Sequence, residues 1–189
     1  TFKTNCESLL FNSELPLELP YSKSAFSLKA GTTPAEQMMT AIGQGETLVT
    51  PMHMAMIVSA IANEGILMKP YLLDRVETYT GDLVKTFRPS AYGSLMTAEE
   101  AAILTDMMAA VVTMGTGSAV NTEGYTVAGK TGSAEFEKGR ETHGWFTGFA
   151  PADQPELVVT VIVEESGSGG KTAAPVARAV FDVWFGRGF

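Results

Sequence analysis

The chain has 189 residues, of which 45% are hydrophobic and 18% charged, with a net charge of −8 and a pI of about 4.8. That length supports one domain with a real core, and the composition is too apolar for a disordered chain. With no basic stripe to displace counterions, nucleic acid is excluded as a partner. The single cysteine, Cys6, rules out an internal disulfide and a thiolate metal cluster. The two histidines, His53 and His143, are far apart, so no metal site is expected. No apolar run approaches the ~18 residues of a membrane span, and no signal peptide is present. The chain begins at Thr1 without a methionine, so a preceding segment is expected.

Phe2, Cys6, Leu9 and Leu10 fall on one face of a short helix within residues 1–10. Residues 12–33 carry Pro16 and Pro20 among serines and read as an extended connector. Thr33-Pro34-Ala35-Glu36 is a capping box with proline at the first helical position, opening a helix that stops at Gly43. Thr50-Pro51 opens another, running through Ile61, with Asn63 and Gly65 ending it. Its methionines and branched residues surround it almost completely, which predicts burial rather than a binding surface. His53 reads as a satisfied helix histidine. Residues 71–79 and 83–87 flank Thr80-Gly81-Asp82 as a hairpin. Thr97-Ala98-Glu99-Glu100 caps a long helix ending near Met114. Residues 127–136, 145–149 and 157–164 read as three strands of an antiparallel meander. The near-continuous apolar run of the last predicts a central strand covered on both faces. Residues 173–185 form a closing helix with Pro175 in its first turn. The fold class is therefore α+β, with an antiparallel β-sheet packed against helices.

Two incompatible readings meet at Thr126-Val127-Ala128-Gly129-Lys130-Thr131-Gly132-Ser133. Gly124 to Thr131 fits G-x-x-x-x-G-K-S/T, the phosphate loop of a nucleotide binder. That loop needs a strand before it and a helix starting at its lysine. Residues 115–123 make a poor strand, and Gly132, Gly139 and Gly144 make a poor helix. Tyr125, Thr126 and Val127 also resist the anion-nest conformation. The alternative is an edge strand. Lys130 then lies on one face and Thr131 and Ser133 on the other, with outward amides free to donate. An ammonium and two hydroxyls can hold a carboxylate, and a free N–H can stabilise an oxyanion. For His143, Glu135 and Glu164 the expected role is strand-end solvation, and for Trp145 it is core packing.

Ala128-Gly129-Lys130-Thr131-Gly132-Ser133-Ala134-Glu135 resembles the K-T-G strand of penicillin-binding protein transpeptidases, of class B type. Other ordered segments resemble the same family: Gly43-Gln44-Gly45 with Thr50-Pro51-Met52 and Ala60-Ile61-Ala62-Asn63-Glu64-Gly65; Gly115-Thr116-Gly117-Ser118-Ala119; Trp145-Phe146-Thr147-Gly148-Phe149-Ala150-Pro151; and Gly169-Gly170 with Ala173-Ala174-Pro175. Thr1-Phe2-Lys3-Thr4 looks like the family's S-x-x-K motif without its serine, which would fall just before Thr1. No S-x-N motif occurs. Against the family pattern a helical segment is absent between Thr4 and Asn5, so residues 1–189 read as a partial transpeptidase domain with an incomplete helical lobe.

The resemblance implies the penicillin-binding and β-lactamase-like fold, and a serine-type D-Ala-D-Ala transpeptidase that cross-links peptidoglycan stem peptides and is acylated by β-lactam antibiotics. It implies no cofactor. It assigns Lys3 as the base for the serine and Lys130 as the neighbouring cation. Thr131, Gly132 and Ser133 bind substrate, the hydroxyls of Thr131 and Ser133 its carboxylate. The Ser133 N–H stabilises the oxyanion. Keeping a lysine neutral near pH 7 costs about 4 kcal/mol, which requires a tight and partly dry cleft. The implied setting is the outer face of a bacterial cell membrane, anchored by an upstream segment, with cell-wall synthesis proteins as partners. A β-lactam sensor or β-lactamase of the same fold, and a non-catalytic wall-binding module, are the alternatives.

Overall fold

The computed structural model describes residues 2–29 and 31–186. Helix α1 covers Phe2–Ser8, α2 Pro34–Ala41, α3 Pro51–Ala62, α4 Ala98–Met114 and α5 Ala173–Trp184. Strands β1 Ile66–Met68, β2 Arg75–Glu77, β3 Leu83–Thr86 and β4 Ala91–Ser94 form two small antiparallel pairs, β1 with β4 and β2 with β3. Strands β5 Ala128–Ala134, β6 His143–Ala150 and β7 Leu157–Val163 make the main antiparallel sheet in the order β5-β6-β7.

The helix starts follow local chemistry. At α2, Thr33 Oγ1 accepts from Glu36 N, while the Glu36 carboxylate accepts from Thr33 N at 2.8 Å. Thr97 and Glu100 do the same at α4. These exchanges hold both glutamate carboxyls below their ordinary range, because the ionised form accepts the bonds. Thr50 caps α3 through His53 N, with Pro51 at the first helical position.

The sheet is sandwiched. On one face Phe146 and Val127 pack with Phe181, Ala173, Ala174 and Ala177 of α5. On the other, Ala128 and Phe149 pack with Ile57, Val58, Ile61 and Met108 of α3 and α4. Burying each such phenylalanine contributes roughly 1.5–3 kcal/mol. A third cluster, of Leu15, Met56, Ala60 and Leu67, pins the connector and β1 to the back of α3.

Two expectations, on β7 and on Trp145, are corrected, and the disfavoured phosphate-loop reading is set aside. Strand β7 lies at the side of the sheet and β6 at its centre. The unbroken apolar run of β7 reflects helices on both of its faces, α3 and α5, and says nothing about its neighbours in the plane. The phosphate-loop reading fails because Lys130 sits within a strand that continues to Ala134, with no helix beginning there. Trp145 is half-buried and lines a cavity instead of filling the core. The short β1–β4 pair was not foreseen.

Candidate active site

Strand β5 is the outer strand beside β6, packs against helix α4, and meets Gln44 of the Gly43–Gly45 turn at its free edge. A cavity of about 630 Å³ lies there, with Ile57, Val58, Ile61, Leu104, Met107, Met108 and Val111 on its helical walls. Lys130, Thr131, Gly132, Ser133, Ala134, Trp145 and Thr147 line its strand side, and Gly43 and Gln44 close one end. Apolar walls around a few polar groups are the usual make-up of a small-ligand site.

The backbone of β5 sorts itself by register. Lys130 is opposite Thr147, Gly132 opposite Trp145 and Ser133 opposite Gly144. In an antiparallel pair each residue sends both its N–H and its C=O to the same side. The Ser133 carbonyl accepts from Gln44 Nε2 at 3.0 Å, outside the sheet, so the Ser133 N–H also points off the edge. The Thr131 carbonyl likewise points outward and accepts from Lys130 Nζ at 2.7 Å.

Side chains complete the wall. Lys130 shares the face of Ala128, toward α3 and α4, and is exposed. Thr131 is on the opposite face and buried, and its Oγ1 lies 2.5 Å from Thr116 Oγ1. Thr116 is delivered by the end of α4. There Gly115 N and Gly117 N both donate to the Val111 carbonyl, and the 3-10 turn Ser118–Val120 follows. Gly169 braces the back of the strand. A Cβ on it would collide with Trp145 O and Gly132 O, the rung that sets Ser133's register. Its carbonyl accepts from Ala173 N and Ala174 N, tying the rung to the start of α5.

Of the residues expected to act together, the structure gathers Lys130, Thr131, Gly132 and Ser133 in one wall. It does not add Lys3. That side chain is 54% exposed, faces Glu7 at 3.7 Å within α1, and is absent from the cavity lining. Helix α1 itself buries no residue. Thr1, beside which the nucleophile is expected, lies outside the described residues. The sequence reading missed Thr116 and the contacts of Gln44; both sit in motifs already singled out, but their partners lie 15 and about 90 residues away. Glu135 touches this edge through its own N–H, which donates to Gln44 Oε1 at 3.3 Å. His143 is a strand-start residue, stacked on Phe136 and accepting from Glu165 N at Nδ1. Glu164 is exposed just past β7. His53 is 1% exposed, and its Nε2–H donates to the Leu9 carbonyl at 2.8 Å. Among the described residues no group of acidic, cysteine or histidine side chains is placed to hold a metal.

Known proteins share this fold. The profile of the penicillin binding protein transpeptidase domain matches residues 1–182. Peptidoglycan D,D-transpeptidase PbpA of Mycolicibacterium smegmatis is 36% identical over 151 residues, 75% of this chain and 30% of that protein. Stage V sporulation protein D of Bacillus subtilis is 39% identical over 153 residues, 76% of this chain and 24% of that protein. Among solved structures, the D,D-transpeptidase domain of a peptidoglycan glycosyltransferase from Eggerthella lenta superposes with a TM-score of 0.89 at 31% identity, covering 97% of this chain and 47% of that one. Penicillin-binding protein A of M. tuberculosis, as its imipenem acyl-enzyme complex, gives 0.86 at 30% identity, covering 96% and 41%. The chain thus spans under a third of these curated relatives and under half of these solved chains. On the family match over residues 1–182, the identities and the shared fold, this chain belongs to the penicillin binding protein transpeptidase domain family.

Proposed function

We propose that the chain serves a peptidoglycan D,D-transpeptidase that works through a serine acyl-enzyme and is acylated by β-lactams. The observation that carries this reading is the Ser133 N–H, turned off the β5 edge into a cavity that also holds the Lys130 ammonium. A developing oxyanion gains most from a donor that is already aimed at it.

In this reading a serine directly before Thr1 is the nucleophile. Its oxygen attacks the carbonyl carbon of the penultimate D-alanine of a stem peptide, and its proton passes to Lys3. The carbonyl oxygen becomes an oxyanion held by the Ser133 N–H. The terminal carboxylate rests on Lys130 and the hydroxyls of Thr131 and Ser133. Collapse of the tetrahedral species breaks the peptide bond, and the departing D-alanine nitrogen takes the proton. An amine of a second stem peptide then attacks the ester carbonyl, forming the cross-link and returning the serine. No cofactor is needed. The resemblance supports a setting at the outer face of a bacterial membrane, with an anchor upstream and other cell-wall synthesis proteins as partners. None of the described helices is long and apolar enough to cross a membrane.

The position of Lys3 favours a second reading, in which the chain binds wall peptides without acylating. Fluorescent penicillin separates the two. With a serine placed directly before Thr1, the first reading expects a covalent adduct that survives denaturing gel electrophoresis, lost on Lys3→Ala. A binder without acyl transfer stays unlabelled.

A further inference from the structure

We propose that the arm formed by β1 to β4 carries a docking groove for an extended acidic peptide with apolar side chains.

The two small strand pairs make one arm with a gap in its ladder. The β1–β4 pair ends where Lys69 N donates to Ser90 O at 2.9 Å, and the β2–β3 pair begins where Phe87 N donates to Asp74 O at 2.8 Å. Between those rungs Pro70, Tyr71, Leu72 and Leu73 stand opposite only Arg88 and Pro89. Neither proline has an N–H with which to carry the ladder across. The N–H groups of Tyr71, Leu72 and Leu73 donate to no protein group among the described residues. The run is also open to solvent, Leu72 being 79% exposed. Unpaired main chain of this kind is a template for a further strand.

Beside the gap lies a groove of about 470 Å³, with Leu19, Met52, Leu73 and Phe87 among its walls. It shares no lining residue with the cavity beside β5, so the inference does not rest on the transpeptidase reading. Lys69 and Arg88 also line it, against one carboxylate, Glu18. Arg75, Arg140 and Arg178 each pair with a carboxylate, whereas Lys69 and Arg88 form no ion pair among the described residues. Two unpaired cations on a chain of net charge −8 give the groove a preference opposite to that of the whole surface. The free amides select the occupant. A peptide main chain can pair with Tyr71 to Leu73 while its apolar side chains enter the groove and its carboxylates meet Lys69 and Arg88. A lipid surface has no main chain to match those amides, and a concave groove suits inserted side chains better than a bilayer.

The test titrates a Glu-Leu-Glu-Leu-Glu peptide, blocked at both ends, into the isotope-labelled full chain. Lys-Leu-Lys-Leu-Lys and a fully N-methylated copy of the acidic peptide are the controls. The acidic peptide should shift the amides of Tyr71, Leu72, Leu73 and Arg88 saturably and leave Lys130 to Ser133 in place. Arg88→Glu and Lys69→Glu should each weaken it by ~10-fold or more, the loss of a contact to a charged group. The N-methylated copy should leave the arm unshifted. Both substitutions fall at exposed positions, and unchanged resonances outside the arm confirm the fold of each variant. The net charge of the chain by itself favours the basic peptide, so preferential binding of that peptide overturns the proposal. Arm amides that ignore the acidic peptide overturn it too, including the case where the chain instead co-sediments with phosphatidylglycerol vesicles and Arg88→Glu abolishes that.

Discussion

Thr116 Oγ1 and Thr131 Oγ1 lie 2.5 Å apart, so the end of α4 and strand β5 share a hydrogen bond through their side chains. One hydroxyl donates to the other and keeps the acceptor's proton available, so the pair offers a carboxylate a donor that is held in place. Thr131 is only 8% exposed, and removing its partner strands a buried hydroxyl. Thr116→Val should therefore cost about 1–3 kcal/mol. Adding Thr131→Val should recover most of that, because two apolar partners leave nothing unsatisfied. Denaturant unfolding of the two variants checks this; equal losses in the single and double variants would refute it.

His53 sets a pH dependence. Burial pushes its pKa below the ordinary value near 6.5, and the bond to the Leu9 carbonyl opposes this only partly. Because Nε2 carries the proton given to Leu9, protonation would fall on Nδ1, which is buried without a partner. The unfolded chain takes up that proton more readily than the folded one. The contribution of neutral His53 is thus fully present above about pH 6.5 and is lost as pH falls below it. Melting temperatures between pH 7.5 and 5.5 should drop for the wild type and drop less for His53→Gln, whose amide still donates to Leu9. Parallel slopes would count against this account.

At Gly169 the constraint is space. A methyl group there meets Trp145 O and Gly132 O, both backbone atoms of one ladder rung. Gly169→Ala should cost about 1–3 kcal/mol as overpacking and should disturb the amide resonances of Gly132 and Ser133 before those of α3. Native-like spectra and stability would show that α5 simply moves away.

Lys130 tests the electrostatics of the wall. Among the described residues, Lys130 is the cationic member of the cavity lining. Lys130→Ala should weaken binding of a D-alanyl-D-alanine-terminated peptide by about 10-fold or more, the scale of a hydrogen bond to a charged group. A peptide amidated at its C-terminus should lose little further affinity in the variant. If acid and amide peptides weaken equally, the lysine does not contact the carboxylate.

Much of this fold was legible because its signals are local. Thr33 with Glu36, Thr50 with Pro51, and Thr97 with Glu100 each announce a helix start within four residues. In the main sheet β6 and β7 are marked by their aromatic and β-branched residues, whereas β5 holds only Thr131 of that kind. The pairing of β1 with β4 was hidden because Ile66–Met68 is three residues long and Ala91–Ser94 holds no β-branched residue. In the site, the alternation of Lys130 against Thr131 and Ser133 could be read from strand period alone. What Thr131 and Ser133 bond to could not, since Thr116 and Gln44 arrive from other elements. The spacing of Thr1-Phe2-Lys3-Thr4 puts a lysine one turn along a helix, but nothing in it says which way α1 faces, and Lys3 turns to Glu7.

The most direct measurement follows the Ser133 amide proton by NMR during titration with a D-alanyl-D-alanine-terminated peptide or with penicillin. The account predicts a saturable downfield shift at Ser133, accompanied by Thr131 and Gly132 and moved to about 10-fold higher peptide concentration by Lys130→Ala. A Ser133 resonance that stays fixed while other surfaces respond would contradict it.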